Sequence, residues 1–357
     1  MATVLLEDGT ILKGKSFGAQ GVKIGEIIFN TSSTGYQEII TDPSCKGQII
    51  TMTYPEIGNY GLNDEDYESK KPECFGLIVK NYCKEESHYK STKKLGDYLK
   101  ENDIIAIEDI DTRSLVKKIR EKGTMKCLIT SEDLKEENLS KEFAKIAMHK
   151  INIDDYKNTK EKQILGENNE KNIAFIDFGT TNSVIQKLIN KNCKLTVFGS
   201  NFKADEILNE NFDCVFMSNG AGNPEYYEKE VEEIKNLVGK LPLFGIGLGC
   251  NLLALALGAK IEKLKYGHHG ASYPVIDLKT NKIFATTQNH NYAIYENSLT
   301  GLMEASYRNL NDNTIEGFNS ERLKIYAVQF TPDTSETTTD TSLIFDKWIE
   351  LIKGENK

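Results

Sequence analysis

The sequence has no apolar run of membrane-spanning length, no closely spaced cysteine pair and no excess of positive charge, and each lack removes a class of function. With 44 Lys and Arg against 53 Asp and Glu, the formal net charge is -9, so phosphate backbones and anionic lipid would repel the chain at long range. Neither nucleic acid nor a membrane is an expected partner. The seven cysteines, at 45, 74, 83, 127, 193, 214 and 250, form an odd set with no C-x-x-C and no metal-like spacing. This reads as a reduced, cytoplasmic protein without a disulfide framework or a metal site. The start, Met1 to Gly9, has neither the basic flank nor the apolar stretch of a signal peptide.

What is present suits a protein with two cores: 357 residues, 39% hydrophobic and 27% charged. Residues 1–150 read as short strands and turns followed by helices, with strands expected at Thr3 to Leu6, Glu26 to Asn30 and Gln48 to Thr53. Residues 151–172 are dense in Asn, Lys, Glu and Asp with little apolar periodicity, and read as a linker that contributes little core. From 173 to 357 the pattern becomes strand-helix alternation. Ile173 to Phe178, Leu195 to Phe198, Val215 to Met217 and Leu243 to Ile246 are the strands, with helices at Val184 to Asn190, Ala204 to Asn209 and Glu225 to Val238. Such order implies an α/β fold with a mostly parallel sheet flanked by helices, whose ligands sit beyond the strand carboxyl ends. Ala271 to Gln329 reads as an antiparallel extension and Ile344 to Ile352 as a closing helix.

Phe244-Gly245-Ile246-Gly247-Leu248-Gly249-Cys250-Asn251 is a strand, a tight turn and the start of an apolar helix, the layout of a nucleophile elbow. At such a turn the apex residue projects into the site and nearby backbone N–H groups can hold an oxyanion. Here the apex falls on Gly247. Alone, this glycine pattern also closes many ordinary strand-helix turns.

Three distant segments read together are more specific. Ser218-Asn219-Gly220-Ala221-Gly222-Asn223-Pro224, the elbow, and Gln329-Phe330-Thr331-Pro332-Asp333 follow the order and approximate spacing of the class I glutamine amidotransferases. Earlier segments narrow the resemblance: Gly25 to Thr31, Thr34-Gly35-Tyr36-Gln37-Glu38, Thr41-Asp42-Pro43-Ser44, Tyr54 to Gly61 and Asp109 to Arg113. These are similar to the N-terminal domain of carbamoyl-phosphate synthetase small subunits, and Gly267 to Gly270 with Gln288-Asn289-His290 fit the second domain of that family. The resemblance implies an N-terminal mixed β/α domain followed by a class I glutamine-amidotransferase domain. It implies a large-subunit partner that holds ATP, Mg and bicarbonate, no cofactor on this chain, and L-glutamine or ammonia as nitrogen source. The product would feed pyrimidine or arginine synthesis.

In that family a cysteine attacks the glutamine side-chain amide, while a histidine oriented by a glutamate moves protons. Transferred by position, the nucleophile becomes Gly247, the base Thr331 and the orienting acid Asp333, none of which can act as required. The resemblance assigns the glutamine pocket to Ser44, Gly220, Gly222, Leu248, Asn251, Asn289, Asn291 and Tyr292. Of these, Asn251 replaces a usual glutamine, Asn291 a usual glycine and Tyr292 a usual phenylalanine. The expectation is a small subunit that has lost its glutaminase and supports ammonia-dependent synthesis.

Two alternatives stand beside it: hydrolysis through Cys250 with a relocated base, or a glutamine-sensing subunit without chemistry. Cys250 also fits a small packing residue, and His268, His269 and His290 fit structural roles. Gly35 to Glu38 reads as a turn and subunit contact, and Asp111 to Arg113 as an ion pair and helix cap.

Overall fold

The computed structural model describes residues 1–150, 152, 154, 156–158, 161–332 and 341–352. It divides into two units, one of Met1–Asn152 with Lys265–His269, the other of Ile153–Leu264 with Gly270–Lys357.

The first unit is built on β1 (Ala2–Leu6), β2 (Ile11–Ser16), β3 (Val22–Asn30), α1 (Tyr36–Thr41), β4 (Gln48–Met52), β5 (Glu56–Ile57), β6 (Gly76–Ile78), β7 (Asn81–Tyr82), α2 (Leu95–Glu101), β8 (Ile105–Glu108), α3 (Thr112–Lys122), β9 (Met125–Thr130) and α4 (Glu136–Met148). Seven strands close a barrel in the order β1-β2-β8-β6-β4-β3-β9. Strands β1, β4, β6 and β8 and the second half of β3 are apolar on both faces because both are covered, whereas β2 is polar and largely exposed. Ile27, Phe29, Ile49, Ile105 and Ile107 pack with Leu115 and Ile119 of α3, while their neighbours Ile28, Ile50 and Ala106 pack with Ile40 of α1 and Leu95 and Leu99 of α2. Asp111 caps α3 by accepting from the Ser114 amide at 3.0 Å, and Gly123, at φ 97°, ends it.

Gly35 to Glu38 open α1, in a corner that satisfies its own polar groups. The Tyr60 hydroxyl accepts from the Gly35 and Tyr36 amides at 2.7 and 3.1 Å, and the Tyr36 hydroxyl donates to the Gly61 carbonyl at 2.7 Å. The Gln37 carboxamide clamps Asn63, donating to its carbonyl at 2.6 Å and accepting from its amide at 2.9 Å. Burial pushes the Tyr60 hydroxyl up to about 12, so it stays protonated near neutrality. The unit also takes in Lys265–His269, whose Lys265 and His269 carbonyls accept from the Thr124 and Thr31 amides at 2.8 and 3.0 Å.

The second unit comprises β10 (Gln163–Leu165), β11 (Lys171–Asp177), α5 (Asn182–Asn190), β12 (Cys193–Gly199), α6 (Ala204–Leu208), β13 (Cys214–Met217), α7 (Glu228–Leu237), β14 (Leu243–Ile246), α8 (Leu248–Ala256), β15 (Ile261–Asp277), β16 (Ile283–Ile294), β17 (Glu304–Asn309), β18 (Ile315–Ser320), β19 (Ile325–Val328) and α9 (Leu343–Ile352). One sheet runs β10-β12-β11-β13-β14-β19-β18-β16-β15-β17, parallel from β12 through β19. Along β11, Ala174 and Ile176 face α7 and α8, while Ile173 and Phe175 face α5 and α9. That two-sided burial explains the unbroken apolar strands.

Two expectations need correction. Ile325–Val328 pairs antiparallel with β18 as expected, but on its other edge β19 lies beside β14 as a parallel strand and so also closes the parallel sheet. The segment read as a linker does contribute structure: Gln163–Leu165 adds an edge strand, and β11 already begins at Lys171. Lys157 forms an ion pair with buried Glu230 at 2.8 Å, and the Asn158 carbonyl accepts from the Ser200 amide at 2.6 Å. Among the described residues no helix is long and apolar enough to cross a membrane.

Candidate functional site

The turn between β14 and α8 has the backbone of an elbow. Gly247 sits at φ 56° and ψ -112°, a conformation that L side chains rarely adopt. Its amide donates to the Val328 carbonyl at 2.9 Å, tying the apex to β19, and its carbonyl accepts from the Asn251 amide at 3.2 Å, starting α8. The Gly249 amide donates to the Ser218 carbonyl at 3.0 Å. A Cβ at Gly249 would lie 2.5 Å from the Met217 carbonyl oxygen, so glycine is what lets α8 begin this close to β13.

The loop after β13 forms the opposite wall. Ser218 accepts from the Phe178 amide at 2.9 Å and donates to the Asn219 carbonyl at 2.7 Å. Asn223 caps the following turn by accepting from the Glu225 amide at 3.0 Å, and the Tyr227 hydroxyl donates to the Ala221 carbonyl at 2.8 Å. Gly222 takes φ 94° between these anchors. From this fixed loop the Asn219 Oδ1 accepts a hydrogen bond from the Leu248 amide at 3.0 Å.

The expected triad positions carry no nucleophile or base. Gly247 has no side chain, and Thr331 is half-buried, its amide bonded to the Thr287 carbonyl at 2.9 Å. Asp333 lies outside the described residues. Cys250, the possible surrogate, is fully buried within the core that covers the α7 and α8 face. Burial, then the negative charge of Glu316, pushes its thiol well above the usual range, the opposite of what a nucleophile needs.

His290 has a carbonyl oxygen near each ring nitrogen, Tyr292 O 2.9 Å from Nδ1 and Gln288 Oε1 3.2 Å from Nε2, so its single N–H in the neutral ring can serve one of them. Glu316 Oε2 lies 3.6 Å from the same Nε2, and its Oε1 accepts from Asn309 Nδ2 at 3.1 Å. His268 and His269 are buried in the Lys265–His269 segment of the first unit.

The expected glutamine-pocket residues fall on four elements. Leu248 and Asn251 start α8, Gly220 and Gly222 lie in the loop after β13, and Asn289, Asn291 and Tyr292 line up along β16. Ser44 belongs to the first unit, where its hydroxyl donates to Asp42 Oδ1 at 2.7 Å in the turn after α1. Two buried carboxamides lie near the elbow. Among the described residues, Asn251 Oδ1 and both polar atoms of the Gln329 side chain have no hydrogen-bond partner, a condition that costs about 1–3 kcal/mol per group.

Sequence reasoning assigned no role to Asn219, Glu316 or Gln329. A signal existed for Gln329, a lone polar residue between the apolar strand Ile325–Val328 and Phe330. None existed for Asn219, whose contact depends on the backbone angle at Gly247.

Elbow, parallel sheet and loop after β13 together define the second unit as a class I glutamine-amidotransferase domain. The family model described as "Glutamine amidotransferase class-I" matches residues 174–351, and that of the carbamoyl-phosphate synthase small chain, CPSase domain, matches residues 4–129. Carbamoyl phosphate synthase small chains resemble it over nearly their full length. That of Clostridium acetobutylicum is 44% identical over 98% of this chain and 99% of its own, that of Aquifex aeolicus 42% over 99% of each, and that of Archaeoglobus fulgidus 41% over 99% of each. The chain belongs to the carbamoyl-phosphate synthase small chain family.

Proposed function

We propose that this chain is a small subunit without glutaminase activity. It joins a large subunit in the cytoplasm, and the complex makes carbamoyl phosphate from free ammonia, with ATP, Mg and bicarbonate held by the large subunit. One observation carries the reading: the elbow has its positive-φ backbone, but its apex, Gly247, presents no atom that could attack an amide carbon. Loss of a triad's nucleophile costs on the order of 10^4-fold or more in turnover, leaving only what binding and oxyanion donors supply.

The rest of the site supports the same reading. Thr331 is no base near neutrality, and the His290 ring nitrogens face the oxygens of Tyr292 and Gln288 on β16 rather than an apex nucleophile. Hydrolysis through Cys250 would need a thiolate in a fully buried, apolar position beside a carboxylate.

The deciding experiment is carbamoyl phosphate formation by the chain reconstituted with its cognate large subunit. Ammonium chloride is expected to support synthesis while glutamine leaves it at background. Brisk glutamate release from glutamine would overturn the proposal, and loss of that release in Cys250→Ala would assign it to the buried thiol.

A further inference from the structure

We propose that the Asn219 side chain holds the backbone donor that the reacting carbonyl of glutamine would use and fills the space of the apex side chain, so that the site is closed by a carboxamide of its own chain. This rests on the preceding reading, that no nucleophile works at Gly247, and adds what stands there instead.

At a nucleophile elbow the reacting carbonyl oxygen is held by the backbone N–H of the residue after the apex, and the reacting carbon lies within attack distance of the apex side chain. Asn219 meets the first condition and takes up the space of the apex side chain itself. Its Oδ1 accepts from the Leu248 amide, the residue after the apex, at 3.0 Å. Its Cγ lies 2.5 Å from where a Cβ on Gly247 would be, and Oδ1 lies closer still. Asparagine and glutamine end in the same primary carboxamide, so Asn219 offers the elbow the group for which an oxyanion donor is built.

The arrangement depends on the glycine. Any side chain at 247 would overlap the Asn219 carboxamide, so that residue would have to swing away and release the Leu248 amide. Gly247 and the inward position of Asn219 are therefore two parts of one device. The backbone beneath Asn219 is pinned through Ser218, which accepts from the Phe178 amide, and through the cap at Asn223, whereas the Asn219 side chain is only half-buried and can rotate. A ligand with a primary carboxamide must displace it, and the bond it would gain from Leu248 replaces one already made. Affinity for glutamine is low for that reason.

Titration calorimetry of the full chain with L-glutamine tests this. The unaltered chain is expected to give no heat at millimolar ligand, and Asn219→Ala to bind at least tenfold more tightly, with the fold checked by circular dichroism and thermal melting. Equal behaviour of the two folded proteins overturns the proposal. If Asn219→Ala does not fold, Asn219→Ser provides the same comparison.

Glutamate release by the unaltered complex would sink the preceding reading. Unchanged binding in both Asn219 variants would sink this one and leave that reading standing.

Discussion

The α1 corner of the first unit and the elbow of the second are both tight turns packed against a sheet, yet they treat their polar groups in opposite ways. In the corner, Gln37 clamps both backbone groups of Asn63, and Tyr60 takes up two amides at the start of the helix. Near the elbow, buried Asn251 and Gln329 leave side-chain atoms without partners among the described residues. A corner closed on itself is architecture. The elbow leaves two carboxamides that a self-satisfied turn would have bonded.

Three substitutions would break or sharpen this contrast, all read by urea denaturation. Gln37→Ala strands a backbone donor and acceptor of Asn63 in a buried position and should cost about 3 kcal/mol. If it costs under about 1 kcal/mol, the corner is not the self-satisfied structure described. Gly247→Ala places a Cβ at positive φ against Asn219 and should cost about 2 kcal/mol. A neutral result would mean that the elbow relaxes and that its shape is not held by β19. Gln329→Leu removes two unpartnered polar atoms and should stabilise the chain by up to about 1 kcal/mol. Destabilisation beyond that size would show that the carboxamide has a partner, such as an ordered water, and would narrow the difference between the regions.

Much of the second unit was legible because its strands are short apolar runs ended by glycine or polar turns, the pattern of a sheet covered on both faces. Gln163–Leu165 was not legible, since a three-residue edge strand with half its surface in water carries no period. β19 was misread because Ile325–Val328 looks the same whether its neighbour runs parallel or antiparallel. Within the site, the absence of a side chain at the apex of the elbow could be read from a single letter at 247. Asn219 could not, because its role arises from the angle of a neighbouring turn. Glu316 alternates with apolar residues along β18 and so resembles a solvent-facing acid, yet the strand is covered and the side chain is fully buried.

The Lys265–His269 segment, far along the chain yet part of the first unit, has a practical meaning for anyone dissecting the protein. Severing the chain just after Asn152 would not yield the first unit whole. The amides of Thr31 and Thr124 would lose the carbonyls that receive them, and Phe29 would lose the Tyr266 ring 5.7 Å away. The barrel and its borrowed strand must be made as one piece, and the order of the residues along the chain conceals that dependence.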